Sequence, residues 1–196
     1  MTNTNTKLNY STAEPQNNYS VIPDKTLAKV RMHVKYGYYN DASKGWTDDW
    51  ATKSERTNAI YLNCEYTIIN GKYDGRKVWS LIGLHSEKGD KWNKIGASFI
   101  RTLLESAHGI DSNDKTDVAI KARTIKSFKE LDGIEFVAQI NVSADQDGND
   151  KNEIRYAITT ENKEYESLMK LNGRHKINTK SVAPEHSIQD DDEIPF

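Results

Sequence analysis

One cysteine in 196 residues leaves no disulfide framework and no thiol cluster for a metal. That residue, Cys64, lies inside an apolar alternating run, which suits a reducing compartment and gives a nucleophile no setting. Long hydrophobic runs are missing too. No stretch approaches the roughly 18 apolar residues of a membrane span, and the opening MTNTNTKLNYSTAEPQNNYS has neither a basic start nor an apolar segment. Neither a membrane protein nor one secreted by that route is expected, and the expected location is cytoplasmic.

The motifs of common catalytic centres are also absent. The histidines His33, His85, His108, His175 and His186 show no HExxH-like spacing and none pairs with Cys64, so neither a zinc nor a nucleophilic site has support. Lys77 follows no GxxxxGK pattern, and no glycine-rich phosphate loop occurs. The segment DQDGNDKNEIRY offers Asp145, Asp147 and Asn149 as calcium ligands, but Asp150 stands where an EF-hand needs glycine and Tyr156 where it needs glutamate. A hairpin turn is expected there instead. The expectation is a protein without cofactor or metal that is not an enzyme.

Charge becomes informative once divided along the chain. Net charge is −2, but Ser187 to Phe196 hold four acids and no Lys or Arg, leaving 27 basic against 25 acidic side chains elsewhere. A mildly basic body carries an acidic tip, an asymmetry associated with nucleic-acid binding.

Hydrophobic period sets the organisation. Residues 1–20, rich in Asn and Thr, read as a flexible arm. From Lys29 to Tyr38, Val30, Met32, Val34, Tyr36 and Tyr38 alternate with polar residues, the mark of a half-buried strand whose outer face is basic. NDASKGWTDDWATKSERTN reads as a long loop with two tryptophans. AIYLNCEYTII and KVWSLIGLH read as strands joined by the turn residues of NGKYDGRK. The period then lengthens: Ile95, Phe99, Ile100, Leu103, Leu104 and Ala107 have helical spacing, with Gly109 placed as a stop. GIEFVAQINVSA and NEIRYAITT form a second hairpin through DQDGND, a short charged helix is expected around residues 162–171, and 172–189 read as linker.

Three strands, a helix and two strands suit an all-β domain with one or two helices: a five-stranded OB-fold barrel over 21–171, with the helix between strands three and four. In such a barrel nucleic acid lies across the early strands and their loops, held by cations on its backbone and rings beneath its bases. The first strand supplies Lys29, Arg31 and Lys35, and the tryptophan loop supplies Lys44, Trp46, Trp50, Lys53 and Arg56. Tyr61 falls opposite its strand's core face, and the following turn adds Lys72, Tyr73, Arg76 and Lys77. VWSLIGL is apolar on both faces, so period does not decide whether Trp79 faces core or ligand. Alternating cations on a strand also describe an ordinary solvated face.

The ending QDDDEIPF needs its own account. Asp190, Asp191, Asp192 and Glu193 would repel a nucleic-acid backbone, while Ile194, Pro195 and Phe196 make a short, stiff apolar tip that a basic-rimmed pocket would capture together with the terminal carboxylate. DDDEIPF resembles the acidic tip of bacterial single-stranded DNA-binding proteins. Glu193 is an insertion relative to that pattern, and NGRHKINTKSVAPEHSIQ is shorter and less rich in Gly, Gln and Pro than their linkers. The body is similar to small phage-encoded proteins of replication modules through YDGRKVW, Tyr73 to Trp79, and NEIRYAIT, Asn152 to Thr159.

The resemblance implies a phage single-stranded DNA-binding protein acting in replication, recombination and repair in the host cytoplasm, its tip (190–196) recruiting partner enzymes. Two alternatives stay open: a strand-annealing accessory that self-associates into rings or filaments, and a host-enzyme decoy in which only the tip is active.

Overall fold

The computed structural model of the chain describes residues 9–13, 20–145 and 147–171. The expected linker and acidic tip lie outside the described residues, as does most of the N-terminal arm.

Strand β1, Thr26–Lys35, sits at the middle of one antiparallel sheet. Its buried residues Val30, Met32 and Val34 follow the period of two that marks a half-buried strand. Strand β2 (Tyr38–Asp41) and strand β3 (Trp46–Lys53) come next, then β4 (Ile60–Ile68) and β5 (Lys77–His85). Helix α1 spans Lys91–His108 and the short helix α2 spans Asp117–Ala122. Strands β6 (Glu135–Ala144) and β7 (Asp150–Ile158) precede a last short helix, α3 (Tyr165–Met169).

The pairing defines a curled sheet. Asn63 of β4 pairs with Lys35 on one edge and Leu81 on the other, so β1 and β5 flank β4. Tyr61 pairs with Thr52 and Gly83, which puts β3 on the edge that β1 has just left. β1 continues to β6, and β6 to β7. The strands at the two ends, β5 and β7, come alongside each other outside any shared ladder, and α1 packs on both. Among the described residues the protein is therefore mostly β, a half-barrel with seven strands and three α-helices where five strands and one or two helices were expected.

Inside the curl, alternate β4 residues Leu62, Cys64, Tyr66 and Ile68 meet Met32, Val78, Phe136 and Ile140, all almost fully buried. Leu103 and Leu104 of α1 close this core, with the rings of Phe99 and Tyr66 each edge-on to Phe136. Helix α1 ends at Gly109, whose φ of 64° turns its N–H back onto the carbonyls of Glu105 and Ser106. Burial pushes the Cys64 thiol up to about 12, so almost no thiolate exists near neutrality. A thiol-alkylating reagent is expected to modify Cys64 only on unfolding; labelling of native protein at the rate of a free thiol would contradict this placement.

Two readings are corrected here. The tryptophan loop is mostly a hairpin, β2–β3, which period two could not reveal because Asp48 and Asp49 both adopt left-handed φ inside β3. The first strand also stops at Lys35. Gly37 then passes so close to β3 that a Cβ there would lie 2.3 Å from the Ala51 carbonyl oxygen. Tyr36 and Tyr38, expected in the core, are exposed, and Tyr36 stacks on Trp50 at 4.3 Å.

Candidate nucleic-acid interface

The outer face of β1, β4 and β5 carries three rows of side chains set by register. Arg31, Thr67 and Lys77 form one; His33, Glu65 and Trp79 the next; Lys35, Asn63 and Leu81 the third. Val78 and Ile82 go inward, so strand alternation turns Trp79 and Leu81 outward, each about half exposed. The orientation of Trp79 that period left open is outward in the structure.

Glu65 holds this tryptophan in place. Its Oε2 accepts from Trp79 Nε1 at 3.2 Å, and its Oε1 meets Lys77 Nζ at 2.7 Å. The Lys77 bond keeps the Glu65 carboxyl below its ordinary value of 4.5, against the opposing effect of burial. A carboxylate with a lowered folded-state pKa stabilises fully above the unfolded value, and the contribution is lost as pH falls through the folded one. Stability of wild type relative to Glu65→Gln is therefore expected to fall on acidification below about pH 4.5. Parallel acid melts of the two proteins would refute this pairing.

Beyond Leu81 the surface dips into a cleft of about 690 Å³ along the seam between β5 and β7. Trp79, Leu81, Trp92, Ile95 and Tyr156 line it, together with Lys151, Arg155 and Glu153, whose Oε1 lies 3.5 Å from Arg155 Nη1. Two backbone features build this wall. At Gly83 the chain has no side chain, and the Trp92 ring fills the space: a Cβ at Gly83 would lie 2.3 Å from Trp92 Cδ2. Trp92 is also tilted against Tyr61, ring centroids 6.2 Å apart. On the opposite wall, Gln139 pairs with Tyr156 but Ile140 with Ile154, leaving Arg155 as the extra residue of a β-bulge. The bulge breaks alternation, so Arg155 and Tyr156 are both exposed, with the guanidinium carbon 5.9 Å from the ring centroid.

The other expected site residues divide into groups. Lys35, Tyr61, Lys77 and Trp79 share the outer face. Lys72 and Arg76 lie 5.3 and 5.7 Å from the Tyr73 ring at the β4–β5 turn. Lys44, Trp46 and Lys53 lie on the β2–β3 hairpin and Arg56 in the turn after it; Lys44, Lys53 and Arg56 are exposed and Trp46 is half-buried. Trp50 is buried in the core, which removes it as a stacking candidate in this structure. Lys29 is no surface cation either: Nζ reaches the carbonyls of Met169 and Leu171 and lies 2.9 Å from Glu135. It ties the end of α3 to β1 and is almost fully buried. Arg31, half exposed, donates through Nε to Glu135 at 3.1 Å. Residues 190–196 lie outside the described residues.

The sequence reading missed Trp92, Lys151, Arg155 and Tyr156. Trp92 precedes the first clear helical repeat, and the bulge disguises β7, whose outward pair is adjacent rather than alternate. In sequence, RY within NEIRYAITT was the available signal: a cation beside an aromatic at the point where alternation fails. Among the described residues no helix is long and apolar enough to cross a membrane. No family model matches the sequence, and no curated protein matches it.

Proposed function

We propose that the protein binds single-stranded DNA without sequence preference, across the outer face of β1, β4 and β5 and into the cleft beside it. The observation that carries this reading is the cluster of exposed Trp79, Leu81 and Tyr156 around Trp92, with Lys35, Lys77, Lys151 and Arg155 at its margins. A soluble surface gains nothing from holding such rings in water, whereas bases stack on them and phosphates meet the cations. Tryptophan and tyrosine accept any base, because every base has a π-face.

We propose further that the half-barrel is an OB-fold. The strand order β5–β4–β1–β6–β7, with α1 between β5 and β6, supports an OB-fold barrel whose seam lies between β5 and β7. The β4–β5 face is then strands two and three, the surface such barrels use for oligonucleotides. The resemblance of DDDEIPF to bacterial single-stranded DNA-binding proteins, together with that of YDGRKVW and NEIRYAIT to phage replication-module proteins, supports a phage protein of DNA replication and recombination in a bacterial cytoplasm, recruiting partner enzymes through Ile194, Pro195 and Phe196. The protein acts by binding, with no catalytic residue proposed.

Fluorescence polarisation of labelled oligo-dT, repeated with a duplex of equal length across a salt series, tests this reading. Tight single-strand binding that weakens with salt, by about 0.7 in log affinity per log salt for each phosphate contact, is expected. Equal affinity for duplex would rule out stacking as the basis, and no binding at all would leave the tip as the active part.

A further inference from the structure

A second cavity of about 700 Å³ lies next to the cleft, between α1 and β7, and shares Ile95, Phe99, Arg155 and Tyr156 with it. Its rim adds Lys91 and Lys94, with Asp90 the one acid among the lining residues and 3.9 Å from Lys94 Nζ. Its floor is apolar, from Ile95, Phe99 and Ala157. Ile95 belongs by helical spacing to the core face of α1, yet it is more than half exposed. The first turns of α1 therefore keep an apolar face and two cations directed at the seam rather than into the core.

We propose that this trough is a second DNA-binding segment: the strand leaves the sheet face at Trp79, crosses the β5–β7 seam over Tyr156, and runs between α1 and β7. The inference rests on the single-stranded DNA reading above, and the wall shared by the two cavities, with Lys91 and Lys94 on the far rim, is what favours DNA over another occupant. The β-bulge is the device that makes the crossing. By exposing two successive residues it gives the seam a base platform, Tyr156, and a phosphate contact, Arg155, at one place. Lys91 and Lys94 then meet the next phosphates along α1.

The footprint therefore has two parts, and only a longer strand reaches the second. Oligo-dT of about 4 and about 16 nucleotides, the ends of the range for such domains, separates them in full-length protein. Lys91→Ala with Lys94→Ala alters two exposed residues at the start of a helix, where alanine is well tolerated. Tyr156→Ala removes the platform.

For the double variant, unchanged affinity for the short oligo is expected, with weaker binding of the long one and a salt slope lower by about 1.4 for two lost phosphate contacts. Tyr156→Ala is expected to weaken the long oligo at least about fivefold, the low end for one stacked base. In the double variant, loss of equal size for both lengths, or no loss for either, would overturn the second segment while leaving the first intact, and undiminished long-oligo affinity in Tyr156→Ala would remove the crossing. If wild type binds neither oligo, the DNA reading itself fails. If the double variant keeps full DNA affinity but loses binding of a synthetic QDDDEIPF peptide, the trough is a peptide dock and the proposal is wrong.

Discussion

Replacing Trp79 with alanine is expected to weaken single-stranded DNA binding by about 1 to 3 kcal/mol, roughly 5- to 150-fold, and to leave the fold intact. The ring is half exposed and outside the core, so its removal opens no cavity. Within the fold it donates one hydrogen bond, to Glu65, which keeps its salt bridge to Lys77 after the change. Function and stability should therefore separate. Trp79→Phe is expected to recover much of the affinity, because phenylalanine still offers a π-face, whereas a lost hydrogen bond would not be recovered. Binding isotherms and melting curves of the two variants decide the matter. Undiminished affinity in Trp79→Ala would remove the ring from the interface, and a large drop in melting temperature would make it structural.

Gly96→Ala is expected to do the opposite, damaging fold first and binding as a consequence. A Cβ at Gly96 would lie 2.0 Å from the carbonyl oxygen of Gly83 and 3.1 Å from its nitrogen. Backbone cannot swing aside as a side chain does, so α1 must lift away from β5. The overpacking cost of about 1 to 3 kcal/mol is expected at its upper end, partly offset by the better helix propensity of alanine. Lifting α1 also removes Trp92 from its seat over Gly83 and widens the seam. Denaturant midpoints should fall clearly, and the surviving native protein should bind DNA less tightly. A variant as stable as wild type would mean that helix and strand are further apart than this structure has them.

The two substitutions also mark where sequence was sufficient and where it was not. β1 and β4 announce themselves because one face of each is buried, which forces alternation on residues such as Ile60, Leu62, Cys64 and Tyr66, while β5, β6 and β7 do so as short strand-forming runs bounded by turn residues. α1 does so through Phe99, Leu103 and Leu104. The β2–β3 hairpin stayed hidden, since Asp48 and Asp49 reverse the local backbone and Trp46 and Trp50 no longer obey a period of two. Lys29 shows a second limit. It has the alternation of a surface cation, but the end of α3 and the residues just after it, more than a hundred residues later, cover it with the carbonyls of Met169 and Leu171. Long-range cover leaves no local signature.

The site was half legible for the same reason. Lys35 and Tyr61 follow from strand parity and Lys77 from its place beside the turn, whereas the outward side of Trp79 is fixed only by the pairing of β5 with β4. Trp92, Arg155 and Tyr156 depend on two backbone events, a close glycine contact and a bulge, that become visible only when the sheet has curled and α1 lies in its seam.

Stacking of exposed rings on single-stranded DNA would be reported directly by the intrinsic emission of the four tryptophans. Titration with oligo-dT, in wild type and in Trp79→Phe, at low and moderate salt, is the decisive measurement. Saturable quenching is expected in wild type, shrinking markedly in Trp79→Phe, weakening with salt and much smaller with duplex. Absent quenching, or quenching of equal size in both proteins, would contradict this stacking.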